Sequence, residues 1–323
     1  MTLLLRHEDV KRVITMADAI SAMETGFDEE GKGNANLPSR INIKSGKGWL
    51  RVGPVVMENM GFAGFKAMNL VQGQGLRYQV HLYSVETGAV LAIMDAQHLT
   101  TLRTGATSAV ATRRLARPGP GIVALLGSGV EARAQLEAMQ VDGWVKSARV
   151  FSPTVANREK LAEDFRCHYG MTIETCGSAE EAVADADTIV AAVKSSQPVL
   201  LGQWLKPGMH VNSVGTARRD QHEIDEEVFT RSARIVVDTR HGVFEEAGDA
   251  YAVRDMVKPD SVNELAELVV GKAQGRKNDQ EITLFKSVGT GIQDITLAAV
   301  IYAKAKEMGV GTDLGDFPYL KKN

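Results

Sequence analysis

From residue 121 onward, the chain alternates short apolar runs with segments whose apolar residues recur at helical spacing. The clearest example is the apolar run Ile122–Leu126, which leads into Gly127-Ser128-Gly129 and then into helically spaced apolar residues up to Met139. This order predicts a strand, a tight turn and a helix. Later apolar runs predict further strands at Ala148–Phe151, Thr188–Val193, His210–Val214 and Ile235–Val237. Strands that alternate with helices are typical of a doubly wound parallel sheet, so we expect an α/β fold here.

The first hundred residues follow another pattern. A short strand at Leu3–Leu5 and a helical turn at Glu8–Val13 precede a capped amphipathic helix from Thr15 to Gly31. After a loop at 34–39, short runs predict strands at Arg40–Ile43, Trp49–Val52, Phe62–Met68, Gln79–Ser84 and Ala89–Met94. Consecutive short strands favour a mainly antiparallel sheet, and so a second architecture.

A helix rich in small residues, Leu99–Leu115, ends at the Pro- and Gly-rich segment 117–121, the clearest linker in the chain. Near the other end, a strand at Glu281–Phe285 precedes a long apolar helix at Ile292–Met308. Such a helix is too apolar to stand alone in water, so we expect it to return to the first domain. The first domain is then discontinuous, with residues 1–116 and 292–323, and the second comprises 117–291.

Composition narrows the classes of protein. With 323 residues, 44% apolar and 24% charged, the chain suits two globular domains. The net charge of −3 and the absence of any basic run argue against a nucleic-acid partner. Cys167 and Cys176 fit neither a disulfide framework nor a metal site, and Arg6 interrupts the N-terminal leucines, so we expect no metal, no membrane span and a cytoplasmic location.

The turn at Gly127-Ser128-Gly129 has the chemistry of a pyrophosphate site. Glycines permit the tight turn and close approach of backbone to a ligand, and the helix that follows offers free N–H groups at its N-terminus. Ala132 stands where the usual motif has its third glycine. The next strand ends in Ser152-Pro153-Thr154, without the acidic residue that usually holds the ribose of NAD.

Two basic residues suggest a site for an anionic substrate. Lys66 is a charge inside the apolar run Phe62–Met68, where burial lowers the pKa of an ammonium towards the range of proton transfer. The alternative is an edge-strand lysine that faces water. Arg40 can bind a carboxylate through two parallel hydrogen bonds, although an arginine in a loop is more often simply solvated.

The chain resembles the ornithine cyclodeaminase/mu-crystallin family nearly from end to end. The segments that carry the resemblance include LPSR at 37–40, GFKAMN at 64–69, TLRTGATSA at 101–109, LLGSGVEARAQLEAM at 125–139 and EITLFKSVGTGIQD at 281–294. The resemblance implies NAD(P)-dependent chemistry on imino or amino acids, usually in a homodimer. It also implies that 117–291 is a Rossmann-type NAD(P)-binding domain and that 1–116 with 292–323 is a smaller α+β domain for substrate binding and dimerisation.

Matching positions carry the family's roles over to this chain. Arg40 would hold the substrate α-carboxylate, Lys66 would be the catalytic lysine, and Arg103 would reach both the substrate carboxylate and the cofactor phosphate. Gly289 would contact substrate. The cofactor-binding set, completed by Arg103, would be Thr104, Gly127, Ser128, Gly129, Val130, Ser152, Thr154, Arg158, Val193, Val214, Gly215 and Ser287. The residues after the second strand favour NADPH slightly, and NADH or use of both stays open.

The resemblance leaves the reaction to a few positions. Cyclodeaminases and archaeal-type alanine dehydrogenases have a Gly-x-Asp where this chain has Gly215-Thr216-Ala217. Because alanine cannot transfer a proton, the sequence favours a reductase of preformed 2-imino carboxylates, cyclic or open, that yields an L-amino acid. The alternatives are an ornithine or lysine cyclodeaminase, an alanine-type dehydrogenase, and a mu-crystallin-like NADP-dependent binding protein.

Several polar residues keep two interpretations. Asp225 and Asp294 either act in the site or cap helices. If the substrate has a second carboxylate, one further polar residue would have to bind it. The candidates are Arg51, Arg77, His81, Arg218 and Arg219. For each of them taken alone, a solvated side chain is the simpler interpretation.

Overall fold

A computed structural model describes residues 1–318 and divides the chain into two compact units. The first unit contains Met1–Arg103 and the chain from Thr290, and the second contains Thr104–Gly289. Residues 319–323, the end of the predicted segment 292–323, lie outside the described residues. The assignment of substrate-binding and NAD(P)-binding roles to domains that divide at 116/117 and 291/292 stays a prediction.

The first unit is a sheet with helices packed against it. Its elements are β1 (Leu3–Leu5), α1 (His7–Val13), α2 (Met16–Gly31), β2 (Ala35–Asn36), β3 (Ile41–Ser45), β4 (Gly48–Met57), β5 (Phe62–Val71), β6 (Gly75–Ser84), β7 (Val90–Asp95), the start of α3 (Gln97–Leu115) and, after the second unit, α11 (Gly291–Met308) and β16 (Thr312–Asp313). Thr15 caps α2 by accepting a hydrogen bond from the Asp18 N–H, as its position before the amphipathic pattern predicts.

The strand order of this sheet is β16-β1-β7-β6-β5-β4-β2, and β3 also pairs with β4. All pairs are antiparallel except β1 with β7, so the expected mainly antiparallel sheet is present.

Two details of this sheet differ from the sequence prediction. The predicted loop at 34–39 contains the short strand β2, and β4 continues past Val52 through Pro54. Pro54 falls in the gap between the pairing of β3, which ends at Val52, and that of β2, which begins at Val56. A missing N–H there removes no hydrogen bond to either strand.

The two faces of this sheet differ. On one face, α11 packs closely over β5, since a Cβ on Gly64 would lie 2.8 Å from the Ile295 side chain. On the other face, Ile41, Ile43 and Leu50 are exposed. The register puts them together, because Ile43 pairs with Leu50 and Ile41 pairs with Val52. An exposed apolar patch on a sheet is typical of a surface that another molecule covers.

The second unit is the predicted doubly wound parallel sheet. After the rest of α3 its elements are β8 (Gly121–Leu126), α4 (Val130–Val141), β9 (Val145–Phe151), α5 (Val155–Tyr169), β10 (Ile173–Thr175), α6 (Ala179–Val183), β11 (Thr188–Ala191), β12 (His210–Ser213), α7 (Glu226–Arg231), β13 (Arg234–Val237), α8 (Arg240–Glu246), α9 (Gly248–Ala252), β14 (Asn263–Glu264), α10 (Leu265–Val269) and β15 (Thr283–Lys286). The order is β10-β9-β8-β11-β12-β15-β13-β14, and every pair is parallel.

The strand order reverses between β8 and β11, which is the point where open parallel sheets bind their ligands. The prediction of a Rossmann-type sheet with a second α+β unit is confirmed. Over residues 1–318, no helix is both long and apolar enough to cross a membrane.

Close packing of α3 on α4 explains one of the small residues in α3. A Cβ on Gly105 would lie 2.4 Å from the Ala134 carbonyl oxygen, which is backbone and cannot move aside alone. Alanine normally favours a helix over glycine by about 1 kcal/mol, but this contact opposes it.

We therefore expect Gly105→Ala to lower the free energy of unfolding by about 1–3 kcal/mol, the usual cost of overpacking. Urea or thermal unfolding measures the change. Gly46→Ala is the control, because a Cβ there would meet nothing within 4 Å. Equal or greater stability of Gly105→Ala would mean that helix propensity outweighs the contact.

Candidate active site

Lys66 lies buried at the centre of a polar cluster in the first unit. Its Nζ donates hydrogen bonds to Asp294 Oδ1 at 2.7 Å and to Thr100 Oγ1 at 3.3 Å. The ammonium also lies 5.8 Å from the centre of the Tyr78 ring, within the range of a cation–π contact. The prediction that Lys66 lies inside the fold, and not at a solvated edge, agrees with its 4% exposure.

Three elements bring these groups together. Lys66 points from β5 to the face that α11 covers, and Gly53 of β4 is its cross-strand partner. Thr100 and Arg103 are three residues apart on α3, and so share one face of that helix. Asp294 lies in the first turn of α11, whose start packs tightly on β4, since a Cβ on Gly291 would be 3.1 Å from the Pro54 carbonyl oxygen.

Burial lowers the pKa of Lys66 from 10.5 to about 7. The negative charge of Asp294 opposes this shift, while the positive charges of Arg103 and Arg40 add to it. An ammonium with this pKa can both hold and release a proton near neutral pH, which is the requirement for general acid–base catalysis.

Arg103 and Arg40 complete the cluster. Arg103 is buried, its Nε lies 3.2 Å from Asp294 Oδ1, and it donates a hydrogen bond of 2.9 Å to Gln293 Oε1. Arg40 precedes β3, and its Cγ lies 3.4 Å from the position that a Cβ on Gly53 would occupy. The structure thus brings together three of the four residues that the sequence indicated for substrate: Arg40, Lys66 and Arg103. The fourth, Gly289, lies at the end of the second unit.

One buried hydroxyl at the start of α11 has no hydrogen-bond partner among the described residues. Thr290 forms the N-cap of α11, and its Oγ1 makes no hydrogen bond to any residue within 1–318. A buried hydroxyl of this kind usually has a partner, so a ligand atom here would meet that need. Over the same range, no group of three or more His, Cys, Asp or Glu side chains is placed to hold a metal ion.

In the second unit, the glycine turn after β8 has the geometry of a pyrophosphate site. Gly127 has φ +121°, and a Cβ on it would lie 2.8 Å from the Ala192 carbonyl oxygen, so a side chain is excluded. A Cβ on Gly129 would meet nothing within 4 Å, which leaves open space where α4 begins. Within residues 1–318 no side chain caps α4, so its first N–H groups are available to an anion. Val130, the first residue of α4, is exposed.

The turn after β9 lies beside this loop. Ser128 Oγ and Ser152 Oγ are 2.8 Å apart, and Arg158 of α5 donates a hydrogen bond of 2.8 Å to the Ser152 carbonyl oxygen. Thr154 is exposed at the start of α5, and its hydroxyl does not cap that helix. The residues present therefore fit a dinucleotide, with hydroxyl groups and one guanidinium where an NAD-specific fold has an acid.

Two buried carboxylates organise the ends of the other strands. Glu223 accepts hydrogen bonds from the Val193 and Gly215 N–H groups, which follow β11 and β12. Asp238 accepts hydrogen bonds from the Ser287 hydroxyl and from the Gly289 N–H, both at 2.6 Å. The indicated residues Val193, Gly215, Ser287 and Gly289 are thus held in place by acids that the sequence analysis did not identify. Val214 donates its N–H to the Ala191 carbonyl oxygen.

Lys286 lies beneath these loops in a second ionic network. Its Nζ is 2.9 Å from Asp249 and 3.3 Å from Glu223, and all three side chains are buried. Although burial alone lowers the pKa of Lys286, the charges of Asp249 and Glu223 outweigh it and hold that pKa above its ordinary value. A charge inside the apolar run Ile282–Val288 is the same signal that indicated Lys66, and it could have found this lysine.

The remaining candidate residues have different structural roles. Asp225 is a helix cap, since its side chain accepts hydrogen bonds from the Val228 and Gly202 N–H groups. Asp294 is the partner of Lys66 and Arg103 in the cluster. Thr104 is buried, and its carbonyl oxygen accepts a hydrogen bond from Gln135. Thr100, Tyr78 and Gln293 carried no sequence signal, because nothing in their local pattern distinguishes them from ordinary strand and helix residues.

Comparison with known proteins gives consistent matches over the whole chain. The model of the ornithine cyclodeaminase/mu-crystallin family matches residues 1–309. The ketimine reductase mu-crystallin of Macropus fuliginosus is 29% identical, over 92% of this chain and 96% of that protein. Among solved structures, Δ1-pyrroline-2-carboxylate reductase of Thermococcus litoralis, in complex with NADH and L-proline, is 36% identical with a TM-score of 0.92, over 97% and 100% of the two chains. An archaeal alanine dehydrogenase dimer with bound NAD is 30% identical with a TM-score of 0.92, over 98% and 99%.

The lowered pKa of Lys66 makes stability depend on pH in a defined direction. Between about 7 and 10.5, the unfolded chain binds a proton at Lys66 that the folded chain does not. The cost of burying this ammonium is therefore fully present below about pH 7, and it disappears as the pH rises towards 10.5. From pH 7 to 9, we expect the unfolding free energy of the wild type to rise by about 2 kcal/mol relative to Lys66→Met.

Urea unfolding of both proteins at each pH measures this difference. Lys44→Met, which removes an exposed lysine on the same face of the sheet, should show no such trend. Parallel pH dependence of the wild type and Lys66→Met would contradict a lysine with a lowered pKa.

Proposed function

The chain belongs to the ornithine cyclodeaminase/mu-crystallin family, and on that premise we propose that it reduces 2-imino carboxylates to L-amino acids with NAD(P)H. It is an oxidoreductase that acts on CH–NH bonds. The observation that carries the proposal is the buried Lys66. Its pKa is about 7, and two arginines and one aspartate lie close to its ammonium group.

Imine reduction adds a hydride to carbon and a proton to nitrogen. A nicotinamide cofactor, which the Gly127–Val130 turn, Ser152, Thr154 and Arg158 would hold, would supply the hydride. The residues of this chain supply the rest: Arg40 and Arg103 bind the carboxylate and fix its plane, and Lys66 keeps the imine nitrogen protonated or gives it a proton. An iminium is far more electrophilic than a neutral imine, so this proton is the main chemical contribution of the cluster.

Asp294 has a positioning role in this mechanism. It accepts hydrogen bonds from Lys66 and holds Arg103, so it fixes the direction in which both cations point. Its charge also raises the pKa of Lys66 against the effect of burial. Without Asp294, Lys66 would lose its proton at a lower pH.

The cofactor set proposed in the second unit extends from the Gly127–Val130 turn to Ser152, Thr154 and Arg158. The absence of an acid after β9 and the presence of Arg158 support NADPH over NADH, because a guanidinium binds a phosphate and an acid repels it. The proposal assigns nucleotide binding to residues 117–291 and substrate binding to 1–116 with 292–323.

A second candidate is an alanine-type dehydrogenase, which the archaeal relative favours. The same cluster would act on the imine that forms from a 2-oxo acid and ammonia. Ala217 packs on the apolar core and has no group for proton transfer, so it disfavours a cyclodeaminase, and it counts against the dehydrogenase as well, because both have an aspartate at this position.

We also propose that the chain forms a homodimer in the cytoplasm. The exposed Ile41, Ile43 and Leu50 on one sheet face support this, since a second copy would cover them. Two free cysteines are consistent with a reducing compartment.

Nicotinamide oxidation is the direct test. The purified protein is offered NADPH and NADH separately, with pyrroline-2-carboxylate, piperideine-2-carboxylate, and pyruvate with ammonia or methylamine. We expect oxidation with at least one cyclic imine, faster with NADPH, and loss of turnover in Lys66→Ala and Arg40→Ala with cofactor binding retained. Full activity of either variant would sink the assignment. Ammonia release from ornithine without a net change in nicotinamide absorbance would instead indicate a cyclodeaminase.

The pH profile tests the role of Lys66. In the direction of reduction the lysine must hold a proton, so kcat/KM should fall as the pH rises above about 7. Asp294→Asn removes the charge that raises the pKa of Lys66, so this decline should begin at a lower pH. Two imines of different basicity separate the titration of the enzyme from that of the substrate. A decline that follows the substrate alone would rule out Lys66 as the proton donor.

A further inference from the structure

We infer that Arg51 provides a second carboxylate-binding point, so that the preferred substrates are 2-imino acids whose side chain ends in a carboxylate. This inference rests on the proposed function, because it names the substrate class of the same site. It selects one residue from the basic candidates in the sequence, and it depends on contacts within the first unit alone.

The strand register puts Arg51 on the face that carries Lys66. Gly53 is the cross-strand partner of Lys66, and Arg51 is the partner of Met68. Arg51 and Gly53 are two residues apart on β4, so their side-chain positions point to the same face, about 7 Å apart along the strand. A substrate that is held at Arg40 and Lys66 and extends along β4 would therefore meet Arg51.

Two neighbours on the same face hold the Arg51 side chain. Its Nε donates a hydrogen bond of 2.6 Å to Asn42 Oδ1, and its guanidinium carbon lies 5.2 Å from the centre of the Trp49 ring. Asn42 is the cross-strand partner of Arg51. A guanidinium held by a ring and an amide loses little freedom on binding, and its planar fork matches a carboxylate.

Gly53 allows the two ends of such a substrate to share this face. It is the residue opposite Lys66, and it carries no side chain that would separate Lys66 from Arg51. The stem of Arg40 occupies part of the room, with its Cγ 3.4 Å from the position of a Cβ on Gly53. A long side chain at position 53 would displace Arg40.

The charges on this face also favour a dianion. Lys66 and Arg103 pair with Asp294, and the guanidinium groups of Arg40 and Arg51 add positive charge on the same side of the sheet. A second substrate carboxylate at Arg51 would form a charge-assisted hydrogen bond that a monocarboxylate cannot form. Complementary charge of this kind contributes to specificity.

The other basic candidates do not lie on this face of the sheet, since Arg218 and Arg219 belong to the second unit. Arg218 pairs with Asp220, and Arg219 pairs with Glu245 and lies over the Tyr251 ring. Arg77 is the partner of Asn69 and so lies on the opposite face of the sheet. His81 also lies on that opposite face, stacked on Phe65.

The substrate class that this second point would select comprises 2-imino dicarboxylates, which form from a 2-oxo dicarboxylic acid and ammonia with loss of water. The C=N double bond becomes a single bond, Cα gains a hydride as NAD(P)H becomes NAD(P)⁺, and the nitrogen gains a proton. The product is an L-amino dicarboxylate.

The activity test compares substrates of equal length in Arg51→Met. The ratio of kcat/KM for the imine of oxaloacetate to that for the imine of 2-oxobutyrate should fall about 10- to 100-fold, as expected for loss of one charged hydrogen-bonding partner. Arg51→Lys keeps the charge without the fork and should give an intermediate ratio. Arg77→Met, on the opposite face, should leave the ratio unchanged. An unchanged ratio in Arg51→Met, or an equal fall for both substrates, would overturn the inference.

A binding test separates this inference from the proposed function. Calorimetry with the NADP⁺-bound protein compares L-aspartate with L-2-aminobutyrate, and we expect at least tenfold tighter binding of L-aspartate that disappears in Arg51→Met. If this preference is present but no imine is reduced, the proposed function fails and the second carboxylate site stands. If monocarboxylate imines are reduced and the preference is absent, the function stands and the inference is wrong.

Discussion

The candidate active site depends on the burial of one ammonium group. An isolated buried charge is strongly unfavourable, so Lys66 requires partners that stay in place. Asp294 and Thr100 provide them, and they come from α11 and α3, which are far apart in the chain. The return of α11 to the first unit is therefore a condition for burying Lys66 as well as a feature of the topology. The remaining instability of the charge appears as the lowered pKa of Lys66, which brings its proton exchange into the neutral pH range.

The two buried lysines show how the neighbouring acidic and basic groups decide whether the pKa of a buried lysine falls or rises. Lys66 has one carboxylate and two nearby guanidinium groups, and its pKa falls to about 7. Lys286 has two carboxylates within 3.3 Å, and its pKa rises. Burial acts in the same direction on both, so the balance of acids and bases around each makes the difference. One lysine is consequently ready to exchange a proton, and the other is a fixed positive charge that anchors the loops after β11 and β12.

Local patterns in the sequence predicted most of the secondary structure and the basic residues that we propose for anion binding. Periodicity identified the long helices, and the glycine turn after Ile122–Leu126 identified the start of α4. The short strand Ile173–Thr175 was not predicted, because its place at the sheet edge depends on pairing with β9. Tyr78, Gln293 and Glu223 were missed for a related reason: each acts through a partner distant in sequence, and their local patterns resemble those of ordinary strand or loop residues.

The alternation of side chains along β4 has an evolutionary consequence. Trp49, Arg51 and Gly53 point to the face of Lys66, while Leu50 and Val52 belong to the opposite face with Ile41 and Ile43. Substitutions at alternate positions of one strand can therefore alter the face of Lys66 without disturbing the opposite face, and the reverse. An insertion or deletion of one residue would exchange the two faces at once. Within Gly48–Met57, new specificities are thus accessible through point substitutions, while a change of strand length would be disruptive to both surfaces together.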